Sequence, residues 1–269
     1  MSITRGVTMK VVMSIAGSDC SGGAGIQADL KTFEAFGVFG TSVITVLTAQ
    51  NTRGVSDIFE VSPAFVKAQI NAVLEDFEVS AIKIGMLYSK EIMTAVREVI
   101  CELKIPIVFD PVFISKAGSS LLQADAVEEM KRLFEYATVI TPNIYETHAL
   151  FGYKFGDSLS LEAIQKQKTP VLVKHHVLEL PTGKMSIDQL FFGHQKRIFQ
   201  TQYIETTNLH GTGCSYSSAI AANLALGHTL EESIQCAKNF INAALVSAPN
   251  IGHGAGPINH KAGGAEICK

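Results

Sequence analysis

The segment NLHGTGCSYSSAIAANLALG, residues 208–227, places a glycine-containing loop directly before a run of small residues that is typical of a helix. Gly211, Thr212 and Gly213 let a ligand come close to the backbone, and the first N–H groups of a helix carry partial positive charge. A loop of this kind before a helix is typical of an anion-binding site. The same positive charge is expected to lower the pKa of the Cys214 thiol. The alternative is a glycine-rich turn beside a buried, inert cysteine.

Outward from this segment, short β-branched runs alternate with longer segments of helical period. The predicted strands cover residues 11–16, 43–47, 81–85, 107–110, 139–141 and 171–174, and the predicted helices between them cover 25–36, 63–77, 90–103 and 124–134. This alternation predicts a mostly parallel sheet with helices on both faces.

The pattern changes near the end of the chain. Residues 188–192 and 197–201 flank the turn GHQK and predict an antiparallel hairpin. Two helices are predicted after the hairpin, and the second begins with Thr229 and Glu232 in the spacing of a capping box.

Composition restricts the class of protein. The 269 residues carry a formal net charge of -3 at pH 7, and 47% of them are hydrophobic while 17% are charged. This balance predicts a large core and no basic surface for nucleic acid. The sequence also has no apolar run of about 18 residues that could span a membrane. The five cysteines are odd in number and widely spaced, which predicts free thiols and a cytoplasmic protein.

No linker divides the chain, so we predict a single domain over residues 10–260, a loose leader over 1–9 and a tail over 261–269. His175 and His176 are adjacent, but no third ligand follows at a useful spacing, and zinc is not expected.

The sequence GGAGIQA, residues 22–28, matches a dinucleotide-binding fingerprint. The next predicted strand is followed by Gln50 and Asn51 instead of the acid that would bind a ribose, so NAD is not expected.

Several motifs follow one another in a characteristic order: SIAGSDCSGGAGIQADLKTFEAFGVFGTSVITVLTAQNT, IKIGML, DPVFISKAGSSLL, TPNIYE, VLVK, HGTGCSYSSAIAANLALG and GHGAGP. Together, from about Lys10 to His260, they resemble the hydroxymethylpyrimidine/phosphomethylpyrimidine kinases of thiamine biosynthesis, members of the ribokinase-like superfamily. The resemblance implies a ribokinase-like three-layer α/β/α sandwich. It also implies transfer of a phosphoryl group from ATP to a hydroxymethylpyrimidine and then to its monophosphate, by a protein that forms homodimers as relatives often do.

The resemblance further implies roles for individual residues on the pyrimidine side. Backbone N–H groups of residues 211–214 would hold the transferring phosphoryl group, and Cys214 would accept the proton of the substrate hydroxyl. Gln50 would pair with the aminopyrimidine, because its amide offers both a donor and an acceptor. Asp29 would be the companion acid, although an ordinary polar position of the first helix is the alternative. The residues expected to line the ring are Gly17, Ala24 and Met86.

On the nucleotide side, the resemblance places Lys174 near the ATP phosphates and assigns Asn143 and Asp110 to ATP binding. Asp110 and Glu146 would hold Mg²⁺ through water, because carboxylates at strand ends are suitable ligands for this ion. Caps of the helix that follows are the alternative for Asn143 and Glu146.

One departure from the family falls directly after Lys174, where the family continues with two glycines and this chain has His175 and His176. Histidine adopts a positive φ less readily than glycine, so we expect the shape of the nucleotide-side loop to be affected. This motivates a non-catalytic pyrimidine-binding protein as an alternative. The other alternative is a pyridoxine/pyridoxal kinase, since that branch of the superfamily shares turns similar to GTGC.

Overall fold

A computed structural model describes residues 9–113, 126–181 and 183–267. The strands are β1 (Val11–Asp19), β2 (Phe39–Asn51), β3 (Gly54–Glu60), β4 (Val79–Ile84), β5 (Ile107–Phe109), β6 (Val139–Ile140), β7 (Val171–Leu180), β8 (Gly183–Phe192) and β9 (Gln195–Gln202). The α-helices are α1 (Gly25–Ala35), α2 (Pro63–Asp76), α3 (Lys90–Ile100), α4 (Ala126–Leu133), α5 (Ile144–Phe151), α6 (Leu161–Gln165), α7 (Thr212–Ala225), α8 (Leu230–Val246) and α9 (His260–Ile267).

The nine strands form one sheet in the order β3-β2-β1-β4-β5-β6-β7-β8-β9. The six strands from β2 to β7 in this order pair in parallel, while β3, β8 and β9 join the edges in antiparallel pairs. The predicted mostly parallel sheet and late hairpin are therefore confirmed.

Side chains alternate between two cores because successive residues of a strand point to opposite faces. In β5, for example, Ile107 and Phe109 face the core beside α2 to α6, while Val108 faces the core beside α1, α7 and α8. Both faces of the sheet are covered, which gives the three layers. Within the part of the chain that the structure describes, no helix has the length and apolarity needed to cross a membrane.

The structure differs from the sequence prediction in several elements, among them an edge strand, the end of β7 and the tail. Strand β3 was not predicted, and it pairs antiparallel with β2 at one edge of the sheet. Strand β7 continues past Lys174 to Leu180 and pairs with β8. The predicted tail forms helix α9, where Gly263 and Gly264 lie against Phe240 and Ala35. The helix was not predicted because small and polar residues alternate in this segment, and packing stabilises it.

Two predicted segments lie partly outside the described residues: the leader, of which only residue 9 is described, and the first two residues of the helix predicted over 124–134. Residues 268 and 269 of the predicted tail also lie outside.

Candidate active site

The loop before α7 packs so tightly against the loop after β1 that no side chain fits between them. Gly211, the N-cap of α7, has a φ of +79°, and a Cβ on it would lie 1.8 Å from the Gly23 carbonyl oxygen. A Cβ on Gly23 would lie 2.1 Å from Cδ2 of His210. Glycine is therefore required in both loops, while Gly213 and Cys214 at the start of α7 stay partly exposed.

Asp19, at the end of β1, connects these two loops. Its carboxylate accepts hydrogen bonds from the N–H groups of Ser21 at 2.9 Å and Ala24 at 2.8 Å, and it lies 2.7 Å from Nε2 of His210. Burial raises the pKa of Asp19, but the hydrogen bonds from His210, Ser21 and Ala24 outweigh it and lower the pKa to about 2. Sequence analysis did not identify Asp19 or His210, although both lie inside quoted motifs.

Gln50 lies at the end of β2 beside this pair. Its Nε2 is 3.5 Å from Nε2 of His210, and its Oε1 accepts a hydrogen bond from the Thr48 hydroxyl at 3.0 Å. Because Asp19 is ionised at neutral pH, His210 must carry its proton on Nε2 to bind that carboxylate. His210 therefore cannot accept from Gln50, and the amide hydrogens of Gln50 are left for another acceptor.

The residues predicted to line the pyrimidine ring lie near one another in the structure. A Cβ on Gly17 would lie 2.8 Å from Val46 Cγ2 and 3.6 Å from the Met86 sulfur. Ala24 is the N-cap of α1, and its Cα is 3.3 Å from where a Cβ on Gly211 would lie. Gly17 and Met86 are thus neighbours, and Ala24 adjoins the loop before α7.

Asp29 lies beneath these residues and does not face them. Its carboxylate lies 2.9 and 2.8 Å from Nζ of Lys83 and accepts hydrogen bonds from Ser14 at 2.5 Å and Ser218 at 2.7 Å. Both side chains of the ion pair are completely buried. The substrate-facing position predicted for Asp29 is therefore not what the structure shows. Lys83, which sequence analysis missed, holds the carboxylate inside the protein.

Cys214 lies at the start of α7, but its thiol is not acidified. Burial raises its pKa, and the Asp29 and Asp110 carboxylates raise it further, while Lys83 and the Gly25 N–H lower it only in part. The predicted lowering of this pKa is wrong, because the prediction considered the helix N-terminus and neither the burial of the thiol nor the carboxylates beside it. The neutral thiol is the resting form.

Thr212 turns away from the start of α7, since its hydroxyl donates to the Leu209 carbonyl oxygen at 2.7 Å. Only its backbone N–H group belongs to the N-terminus of the helix. That N–H group lies 3.2 Å from the same carbonyl oxygen. The backbone of residues 213 and 214 is therefore the better-placed part of the predicted anion-binding loop.

Lys174 and Asp110 lie beside the same helix N-terminus. Nζ of Lys174 is 2.7 Å from Oδ1 of Asp110, whose carboxylate also accepts from Thr141 and Ser217, both at 3.2 Å. A Cβ on Gly213 would lie 3.7 Å from this Nζ and 3.9 Å from Oδ2 of Asp110. The structure thus brings together three positions that are far apart in sequence.

Asn143 and Glu146 form the capping box of α5. Oδ1 of Asn143 accepts from the N–H groups of Tyr145 and Glu146 at 2.9 Å, and Oε2 of Glu146 accepts from the Asn143 N–H at 2.8 Å. The capping alternative is confirmed as local structure. Burial raises the pKa of Glu146 to about 8, and the Asp110 carboxylate contributes, although Lys174 and the Asn143 hydrogen bond oppose the shift.

Asp110 and Glu146 offer oxygen ligands suited to Mg²⁺, and their mutual repulsion is what a cation would relieve. Among residues 9–113, 126–181 and 183–267, no three His, Cys, Asp or Glu side chains gather into a metal-binding group. The protein would therefore supply only part of the coordination of such an ion.

The first of the two histidines after Lys174 has a backbone conformation that favours glycine. His175 has a φ of 64°, in the left-handed region, which costs a non-glycine residue about 1–2 kcal/mol. His176 stacks on Phe155, with ring centroids 3.7 Å apart and planes at 15°, and burial lowers its pKa. The left-handed conformation therefore strains the backbone at His175, and the expected effect of the two histidines on the shape of the loop stays a prediction.

The chain is similar to known proteins over most of its length. A family model described as phosphomethylpyrimidine kinase matches residues 19–259. A hydroxymethylpyrimidine/phosphomethylpyrimidine kinase from Haemophilus influenzae is 43% identical over 260 residues, covering 94% of this chain and 97% of that protein.

Two solved structures are similar as well. The crystal structure of a phosphomethylpyrimidine kinase from Clostridium difficile 630 has a TM-score of 0.73 at 38% identity, covering 87% of this chain and 98% of the other. An ADP complex of Bacillus subtilis pyridoxal kinase has a TM-score of 0.81 at 32% identity, covering 95% and 98%. The predicted ribokinase-like fold and the resemblance are confirmed, and this chain belongs to the phosphomethylpyrimidine kinase family of phosphotransferases.

Proposed function

We propose that this protein uses ATP to phosphorylate hydroxymethylpyrimidine and then its monophosphate, which yields the pyrimidine pyrophosphate needed for thiamine. The observation that carries the proposal is the meeting of Lys174, Asp110 and the N-terminus of α7 within about 4 Å of one point at Gly213. Phosphoryl transfer depends mainly on alignment and on neutralising charge on the phosphoryl oxygens. Backbone N–H groups and an ammonium group at one point serve both purposes.

On the nucleotide side, Lys174 would exchange part of its ion pair with Asp110 for the phosphates of ATP. Mg²⁺, when bound, would neutralise phosphate charge, with Asp110 and Glu146 holding it through water. The raised pKa of Glu146 supports this assignment, because a nearby cation would favour the ionised carboxylate. Asn143 would act indirectly, by fixing Glu146 through the capping box.

On the pyrimidine side, Gln50 would donate its amide hydrogens to a ring nitrogen, with Gly17, Ala24 and Met86 along the ring. His210 supports this role because, held by Asp19, it leaves those hydrogens unaccepted. We expect Gln50→Ala to raise the KM for the pyrimidine by about 10-fold and to leave the KM for ATP within about twofold. Equal increases in the KM values for the pyrimidine and for ATP would show that Gln50 does not bind the pyrimidine.

Cys214 would accept the substrate proton only in its ionised form, because the resting thiol holds its own proton. Turnover of the wild type should therefore rise with pH above neutrality, and Cys214→Ser should lower turnover by about 10²-fold and abolish that rise. A pH profile that is the same in both proteins would show that the thiol only fills space.

The most direct test is mass spectrometry of the products formed from hydroxymethylpyrimidine and Mg-ATP. We expect the monophosphate first and the diphosphate later. ADP formed without a phosphorylated pyrimidine would refute the proposal. Binding of the pyrimidine with no ADP formed would refute it as well. The second result would favour the non-catalytic binding protein.

A pyridoxine/pyridoxal kinase is the second candidate. The pyridoxal kinase from Bacillus subtilis shares this fold, with a TM-score of 0.81 at 32% identity, against 0.73 at 38% identity for the phosphomethylpyrimidine kinase structure. Measuring kcat/KM for hydroxymethylpyrimidine and for pyridoxine under identical conditions separates the two. A higher kcat/KM for pyridoxine would make pyridoxine/pyridoxal kinase the first candidate function.

The proposed enzyme would work in the cytoplasm as a homodimer. An apolar face on β2 and β3 supports the dimer, since Leu47 and Phe59 are paired across the strands and are 45% and 69% exposed. Light scattering after size exclusion should give twice the 28.9 kDa chain mass. The monomer mass would contradict this part of the proposal.

A further inference from the structure

The pairing of β7 with β8 contains one extra residue directly after Val173. Val173 pairs with Gln189 and His176 pairs with Ile187, so two residues of β7 lie opposite Asp188 alone. This is a β-bulge, and bulges commonly redirect a side chain beside a functional site. The two residues in the bulge are Lys174 and His175.

Asp188 fills the bulge with its own side chain. Oδ1 of its carboxylate accepts a hydrogen bond from the His175 N–H at 2.8 Å. Oδ2 accepts from the Tyr216 hydroxyl at 2.7 Å and from Nζ of Lys238 at 2.8 Å. Asp188 is 2% exposed, so these bonds are made in the protein interior.

The three donors lie on three different elements of the fold. His175 lies on β7 directly after Lys174, Tyr216 lies on α7 two residues after Cys214, and Lys238 lies on α8. One carboxylate therefore ties the backbone beside Lys174 to the helix whose N-terminus Lys174 faces. Without it, the bulge would keep the strained φ at His175 and lose the hydrogen bond of the His175 N–H.

We propose that Asp188 is a positioning residue that sets the place of the Lys174 ammonium relative to the N-terminus of α7. Asp188 does this through the His175 N–H on one oxygen and through Tyr216 on the other. The inference rests on the proposed function only in taking Lys174 to bind nucleotide phosphates.

A purely structural role for Asp188 makes a different prediction. If the carboxylate served only as the counterion of Lys238, its loss would affect all ligands alike and would not depend on the residue at position 175. The positioning role predicts that loss of the carboxylate weakens the binding of nucleotide selectively. This loss of affinity should be smaller when the residue at position 175 adopts the left-handed conformation without the hydrogen bond to Asp188. Glycine has that property.

The test compares the wild type, Asp188→Asn, His175→Gly and the double variant by calorimetric titration. The ligands are a non-hydrolysable Mg-ATP analogue and, separately, hydroxymethylpyrimidine. Asparagine can still accept from His175 but turns an N–H donor toward Tyr216 and Lys238 if it does so. We expect Asp188→Asn to lower the affinity for the nucleotide by about 10-fold and the affinity for the pyrimidine by less than about twofold.

In the His175→Gly background, we expect the same substitution to weaken the nucleotide by less than about threefold. An equal loss in both backgrounds, or equal losses for both ligands, would overturn the inference. Should Asp188→Asn not fold, Tyr216→Phe removes one donor to Oδ2 and should still weaken only the nucleotide, by about threefold. Unchanged nucleotide binding by that variant would also overturn it. Failure of the wild type to phosphorylate the pyrimidine would refute the proposed function and leave this nucleotide measurement intact.

Discussion

Replacing Lys83 by methionine tests whether the buried ion pair beneath Cys214 stabilises the site. Nζ of Lys83 lies within 2.9 Å of both Asp29 oxygens, and neither side chain is exposed. Methionine occupies similar space but carries no charge, so Asp29 would keep only the hydroxyl donors of Ser14 and Ser218. Removing one partner of a buried pair costs about 3–5 kcal/mol, and we expect the free energy of unfolding to fall by this amount.

An exposed ion pair of the same length provides the control. Nζ of Lys67 is 2.8 Å from Oε2 of Glu98, but these side chains are 43% and 52% exposed. Exposed pairs contribute about 0–1 kcal/mol, so Lys67→Met should change stability by less than about 1 kcal/mol. Urea unfolding followed by circular dichroism measures both variants, since the chain has no tryptophan to report by fluorescence.

The result that would refute this reasoning is a loss for Lys83→Met no larger than that for Lys67→Met. A second variant tests the cause, because Asp29→Asn added to Lys83→Met replaces the unpaired charge by a neutral amide. It should recover at least about 1 kcal/mol. A further loss of stability would show that the carboxylate contributes through its hydroxyl donors and not through its charge.

Three other predictions concern the loops of the site. The pKa of Asp19 is lowered to about 2 from an ordinary 3.8, so its stabilisation is present above about pH 4 and lost toward pH 2. Asp19→Asn should remove about 1 kcal/mol of the difference in the free energy of unfolding between pH 6 and pH 3, measured with urea, whereas an unchanged difference would contradict the lowered pKa. Gly211→Ala would place a Cβ 1.8 Å from the Gly23 oxygen and should lower turnover in a kinase assay at least about 10-fold. In the same assay Gly227→Ala, at a φ of +92° with open space around it, should leave turnover within about twofold. Alkylation of Cys214 by iodoacetamide, followed by mass spectrometry, should accelerate with pH beyond 9, and a plateau near pH 7 would show an acidified thiol.

A local signal accounts for one part of the site that was predicted. Gly211 and Gly213 mark a loop at a helix start, a pattern that depends only on neighbours in sequence. Lys174, the last residue of the strand predicted over 171–174, was assigned from the resemblance. The charge in the middle of the apolar strand AIKIG was a comparable signal for Lys83, because a strand buried on both faces must pair a lysine.

Other residues depend on partners that are distant along the chain. His210 is held by Asp19, 191 positions away, and Asp188 is joined to Tyr216 and Lys238 on two later helices. No local pattern distinguishes Asp188 from an ordinary polar residue of a hairpin strand. Its importance follows only from the bulge that it fills.

Periodicity and glycine placement are properties of adjacent residues, and they were enough to specify a mostly parallel sheet, its two helical layers and the glycine-containing loop before α7. Protonation and pairing were decided by folding. Cys214 keeps its proton and Asp29 faces inward because folding brings carboxylates, ammonium groups and hydroxyls from separate elements into one interior. The strength of those interactions depends on burial, which no stretch of sequence carries by itself.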